Sequence, residues 1–298
     1  MNEQMMQTSA PSRVTDSPGR RALRRFRRHR LAMFGAIVLG VMVVIAIAAP
    51  LVAPYSFEKQ DLERFREAPS AMHWLGTDEF GRDVLSRLIY GGRVSLSVGL
   101  FAVGIYEFIA IILGSLAGYY GGRVDSIIMR TVDVVMAFPT LVIILYMVSV
   151  LGPGIFNTML AIAIVGWTGP TRLIRGQILS IREMEYISAA RSLGIPNGRI
   201  IIRHVLPGVI APMLVHATFG VAHAILMEAA LSFLSLGVQA PAASWGNMMT
   251  AAQKLTILER MPWLWVPPGL AIMLSVLCIN FIGDGLRDAL DPRMVLEG

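Results

Sequence analysis

The sequence predicts an all-α integral membrane protein built on six membrane-spanning helices. Three observations predict it. Hydrophobic residues make up 55% of the 298-residue chain and the mean hydropathy is +0.61, an average that water-soluble domains do not sustain over such a length. The apolar residues fall in runs near the roughly 20 residues that a bilayer requires. The formal net charge is +6, and 24 of the 26 basic residues are arginines gathered between those runs. Basic residues massed on one face would suit nucleic acid. Clustered in loops between apolar spans they set topology instead, so no nucleic-acid partner is expected.

The elements follow in order. Residues 1–30 form a polar tail that ends in RRALRRFRRHR, Arg20 to Arg30. Two readings stay open for it: a disordered tail whose charge holds it on the cytoplasmic side, or an amphipathic helix on anionic lipid. Leu31 to Ala53 is the first span. Ala46-Ile47-Ala48 resembles a signal-peptide cleavage site, but the apolar run is about twice a signal's and the tail before it is long, which favours an uncleaved anchor. Residues 54–93 form a polar loop with six Arg or Lys against seven Asp or Glu. After Gly81, Val84, Leu85, Leu88 and Ile89 would share one face of a short amphipathic helix. Five more spans follow, at 94–120, 127–151, 155–171, 208–231 and 263–283, the shortest being the one that WTGPTRLIRG breaks. Gly114 and Gly118 form a GxxxG pattern, which lets helix backbones approach closely. The organisation is therefore a tail (1–30), a first span with its external loop (31–93), a core of five spans that includes the loop 172–207 (94–288), and a short tail (289–298). No internal or inverted repeat is evident.

Arginine counting orients the chain. With the N-terminus inside, the cytoplasmic segments carry the tail's eight Arg, Arg123, Arg130, six Arg over 172–203, Arg287 and Arg293. Eight basic residues remain outside, most of them balanced by acids in the first loop. Both termini are then cytoplasmic.

Enzyme chemistry finds no footing in these residues. "GK" never occurs, so there is no Walker A lysine, and no HExxH, EF-hand loop or GxSxG elbow appears. His216 and His223 are seven residues apart, about 10 Å along a helix, too far for one metal ion. The single cysteine, Cys278, lies in an apolar run and reads as a small lipid- or core-facing residue. Three carboxylates lie within spans. Asp133 is three residues beyond Arg130, an expected ion pair. Glu228 lies near the outer end of its span, within expected reach of water. Glu107 is mid-span with no partner within one turn. Intramembrane acids face a bundle interior or a water-filled cavity, so Glu107 and Glu228 are the candidate pathway residues.

The most informative stretch is EYISAARSLGIP, Glu185 to Pro196. Ser180 as N-cap with Glu183 three residues on fits a capping box, and Gly194 and Pro196 fit a helix stop. The expected helix, 181–194, carries small residues where a partner's backbone can approach, larger contacts at Tyr186 and Leu193, and charge at Arg182 and Arg191. It reads as a docking helix that transmits a partner's motion. Pro207 then begins the next span, where proline suits a first turn.

At these residues the chain resembles the permease subunits of ATP-binding-cassette importers. Their EAA loop reads Glu-Ala-Ala, three residues, Gly, nine residues, Ile, one residue, Leu-Pro. Ala189, Ala190, Gly194, Leu206 and Pro207 match in register; Ser188 stands for the Glu and His204 for the Ile. Further blocks, HWLGTDEFGRDVLSRLIYGGRVSL, LAGYYGGRVDSIIMRTVDVVMAFP, EAALSFLSLGVQAPAASWGNMM and GDGLRDALDPR, resemble the second permease of the dipeptide/oligopeptide/nickel branch. The resemblance implies a type I importer permease fold in a bacterial inner membrane and a complex with a sister permease, two ATPase subunits and an extracytoplasmic solute-binding protein. ATP and Mg would be bound by the ATPases, with no cofactor and no catalysis in this chain. Glu185, Tyr186, Ser188, Ala189, Ala190, Arg191, Leu193, Gly194, Leu206 and Pro207 would form the ATPase-coupling element, and residues 232–262 would face the binding protein. Short peptides, glutathione or nickel chelates are the implied cargo. On the residues alone, the rivals are a proton-coupled secondary transporter using Glu107 and Glu228, and an assembly subunit with no pathway of its own.

Overall fold

The computed structural model describes residues 18–290, so the tail positions Arg13 and Arg293 lie outside it. Among the described residues the structure is helical, with one isolated bridge between Thr77 and Asp83. The principal helices are α1 (Pro18–Arg28), α2 (Arg30–Ile47), α3 (Val84–Tyr120), α4 (Gly122–Met136), α5 (Thr140–Leu151), α6 (Ile155–Gly166), α7 (Thr168–Arg182), α8 (Glu185–Ser192), α9 (Asn197–Phe233), α10 (Trp245–Met249) and α11 (Val266–Leu290). Of these, α2, α3, α9 and α11 are long and apolar enough to cross a bilayer, and α4 with α5 would make a fifth span, bent by 84°. The sequence predicts six. The difference lies at 155–171, where the apolar helix α6 ends after 12 residues and Trp167 passes the chain into the charged helix α7.

Helix α3 is the axis of the molecule. Its 37 residues rise about 55 Å, well beyond a hydrocarbon core of about 30 Å. The short amphipathic helix expected after Gly81 is its first turns. Asp83 starts α3 by accepting from the Ser86 N–H (2.7 Å), and Gly121 at φ +66° ends it. The segment 54–83 folds over this first end. There His73 and Asp83 pair at 2.9 Å beneath Tyr55, and Glu79 accepts from Arg66 (2.8 Å) and Lys254 (2.7 Å).

The GxxxG pair sets the other end. A Cβ at Gly114 would stand 2.8 Å from Ile174 Cβ, and one at Gly118 2.9 Å from Ile178 Cβ. Side chains are therefore excluded where α3 crosses α7. Ion pairs Arg175–Asp125 and Arg172–Asp133 hold α7 to α4. Asp133 thus takes its partner from another helix and not from Arg130, because the α4–α7 contact brings Arg172 over it. In the described part of the arginine-rich tail, α1 is a helix that sets Phe26 against Gly285 of α11. Cys278 is fully buried where α2 packs on α11 at Gly35.

Candidate functional site

Helix α8 is shorter than its sequence suggested and starts differently. Thr171, Ile174, Ile178 and Ile181 keep one buried face in register, so α7 runs on to Arg182. Ser180 lies inside that helix and cannot cap the next one. The chain turns at Glu183 and restarts after Met184, whose side chain makes no cap, so the capping box is absent. The stop is as expected. Gly194 is left-handed at φ +72°; its N–H donates to Arg191 O (2.9 Å) and the Ile195 N–H to Ala190 O (3.2 Å), the paired bonds of a Schellman motif.

Two side chains seat α8. Ile187 and Ala190, one turn apart, are buried with Ile178, Ile181, Ile200 and Val205. Ala190 therefore packs on the buried face of α8 and not on its exposed one. Glu185, Tyr186, Ser188, Ala189, Arg191 and Leu193 face outward, and Leu193 is 80% exposed. The Arg191 guanidinium lies 5.1 Å from the Tyr119 ring centre, and Tyr119 donates to Asn197 Oδ1 (2.9 Å), so the C-terminal end of α8 and the start of α9 are tied to the end of α3. Leu206 is half-buried against the same cluster, and Pro207 is exposed. Pro207 lies in the first turn of the α-helical stretch Leu206–Phe233, as expected, but that stretch is continuous with helix from Asn197 through a π turn over Ile201–Val205, where the Leu206 N–H reaches back to Ile201 O. Proline lacks the donor that the ladder needs next, and the wide turn lies just before that gap.

Glu107 and Glu228 differ. Glu228 is 1% exposed and fully bonded: it accepts from Ser95 Oγ (2.8 Å) and Ser232 Oγ (2.7 Å). Those hydroxyls in turn accept the N–H groups of Trp245 (3.1 Å) and Val238 (3.0 Å). Water does not reach it, contrary to the sequence reading, because 232–247 folds back over it. Glu107 has its partner on α9, 109 residues on in the chain: its Oε1 lies 2.7 Å from His216 Nδ1, while its buried Oε2 has no partner among the described residues. His216 in turn lines a cavity of ≈ 360 Å³ with Tyr106, Thr140, Phe219 and His223. None of the residues lining that cavity carries a permanent charge, and Glu107 reaches it through His216. Among the described residues no group of three or more potential ligands could hold a metal.

Comparison with known proteins agrees with this architecture. The family described as "Binding-protein-dependent transport system inner membrane component" matches residues 110–296, and "N-terminal TM domain of oligopeptide transport permease C" matches 17–69. A dipeptide transport system permease protein of Alkalihalophilus pseudofirmus is 45% identical over 93% of this chain and 91% of its own length. The oligopeptide transport system permease protein of Bacillus subtilis is 40% identical, with 92% and 89% covered. A glutathione transport system permease protein of Pectobacterium atrosepticum is also 40% identical, with 93% and 92% covered. Among solved structures, a chain of the methionine ABC transporter MetNI in inward-facing conformations superposes with a TM-score of 0.56 at 16% identity, over 69% of this chain and 96% of that one, a likeness of fold alone.

Proposed function

The chain belongs to the binding-protein-dependent transport system inner-membrane components, permease subunits of ABC importers, and from that premise we propose that it forms, with a sister permease, the path by which short peptides enter the cell. In this reading its termini are cytoplasmic, and α8 seats in a groove of an ATPase subunit and carries its closing motion to α3, α7 and α9. ATP and Mg belong to the ATPases. The observation that carries the reading is α8 itself, clamped from beneath by Ile187 and Ala190 while Tyr186 and Leu193 stand exposed on its outer side. Segment 232–262, closed over Glu228, would face the solute-binding protein. Glu107 with His216 would stand beside the path. Peptide is favoured as cargo by the dipeptide and oligopeptide relatives.

Leu193→Asp tests it, since an 80% exposed position does not disturb folding. The variant chain should reach the membrane in normal amount. Complexes purified in mild detergent should lose their P-loop ATPases, or hydrolyse ATP without importing peptide. Wild-type uptake by Leu193→Asp, or recovery of the wild-type chain alone as a homo-oligomer, would overturn the assignment.

A further inference from the structure

Helix α2 is the least buried of the long helices, with 17% of its apolar window covered. It stands off α3 enough to leave a slot of ≈ 300 Å³. Leu39, Val43 and Ile47 form one wall, Leu96 and Leu100 the other, and Val221 and Ile279 the floor. The slot follows α2 from Leu39 to Ile47, about 12 Å of helix. The lining is hydrocarbon apart from two residues, Ser97 and Arg93. Ser97 donates to Val94 O (2.9 Å) of its own helix.

Arg93 lies at the end of the slot nearest the 54–83 segment. It is level with the last turn of α2, where a Cβ on Gly92 would stand 3.5 Å from Ala46 Cβ. That is the depth at which an apolar span meets headgroups. The guanidinium is exposed, and among the described residues it has no hydrogen bond, ion pair or ring contact. A helix from a protein partner laid into this slot would bury an uncompensated charge. A bilayer supplies a phosphate at that level and a hydrocarbon chain beneath it.

We propose that this slot holds one phospholipid from the leaflet on the 54–83 side, an acyl chain lying between α2 and α3 and its phosphate diester on Arg93. The lipid fills a gap that side chains leave open and fixes the standing distance of α2. This site does not depend on which cargo the permease carries.

The complex purified from its native membrane, stripped with mild detergent and given a few equivalents of phosphatidylglycerol, is read by native mass spectrometry. One lipid per copy of this chain should survive activation. Arg93→Gln should cut that retention about fivefold, the worth of one cation near a phosphate. Leu100→Trp, at a 63% exposed position, should do the same by filling the slot with Arg93 intact. Retention unchanged in both variants overturns the proposal. So does equal retention of diacylglycerol, which lacks the phosphate, and so does a wild-type complex that keeps no lipid, the face then being covered by protein.

Discussion

At the scale of single residues, polar groups in this protein are divided into sealed and poised ones. Glu228 is sealed: every oxygen is met by a hydroxyl, and each hydroxyl is fixed in turn by a backbone N–H. Glu228→Leu should cost on the order of 3 kcal/mol, since it leaves Ser95 and Ser232 without acceptors in a dry site; loss of folded protein, not of transport per molecule, is the readout. Glu107 is poised, with one oxygen on His216 and the other unpartnered. Glu107→Gln keeps the shape and replaces the carboxyl group behind the cavity wall with an amide. Uptake per complex should change about tenfold, the equivalent of ~1.4 kcal/mol in a barrier, with the amount of complex unchanged; identical kinetics across a panel of peptides would remove Glu107 from the path. Outside the membrane, Glu79 gives a pH signature. Burial pushes its carboxyl up, but Lys254 and Arg66 outweigh that and hold it below the ordinary carboxylate value. A depressed folded value means that the stabilisation is full above the unfolded pKa of about 4.3 and fades as pH falls through the folded one. Glu79→Gln should therefore melt slightly below wild type at pH 7, by an exposed pair's ~1 kcal/mol or less, and the two curves should converge in acid.

At the scale of elements, the α3–α7 crossing and α8 show what could be read in advance. GxxxG at Gly114 and Gly118 is a weak signal alone, yet here it is the contact that lets α7 lie on α3. Gly118→Ala should cost about 1–3 kcal/mol by overpacking against Ile178, whereas Gly104→Ala, with nothing within 4 Å of its Cβ position, should be silent. Thermal unfolding in detergent separates the two. The stop of α8 was legible because Gly194 announces a left-handed residue whatever surrounds it. Its start was not, because Ser180 and Glu183 satisfy a local rule while Ile174, Ile178 and Ile181 satisfy a longer one, and burial of three isoleucines outweighs one cap. The Glu107–His216 pair was half legible: an acid and an imidazole each stood inside a span, but only the packing of α3 on α9 says that they meet. The same holds for Asp133, whose sequence neighbour Arg130 lost to Arg172 across the α4–α7 contact.

At the scale of the whole molecule, the question is which apolar surface meets lipid and which meets protein. Exposure alone does not decide it, since α2, α5 and α9 all show large apolar side chains outward. The backbone does decide it at one place. Between α4 and α5 the chain bends by 84° over Ala137, Phe138 and Pro139. Pro139 has no N–H, and it disfavours helical geometry at Phe138. Each half alone, 15 and 12 residues, rises about 22 and 18 Å, too short to cross the hydrocarbon. A break of this kind leaves carbonyls without helical partners, and lipid cannot satisfy them; irregular backbone at membrane depth lies against protein or a watery cavity. Met136 and Thr140 on either side of the bend line the ≈ 360 Å³ cavity that His216 also lines. The bend should therefore face the sister subunit and the path, not the bilayer. Phe138, 60% exposed, reports on this, and the buried Cys278 leaves a clean background. Phe138→Cys in the purified complex should react with a charged, membrane-impermeant maleimide or cross-link to the sister chain, and bound peptide should slow the reaction. Labelling only by lipid-soluble reagents would place the bend in the bilayer and move the path elsewhere.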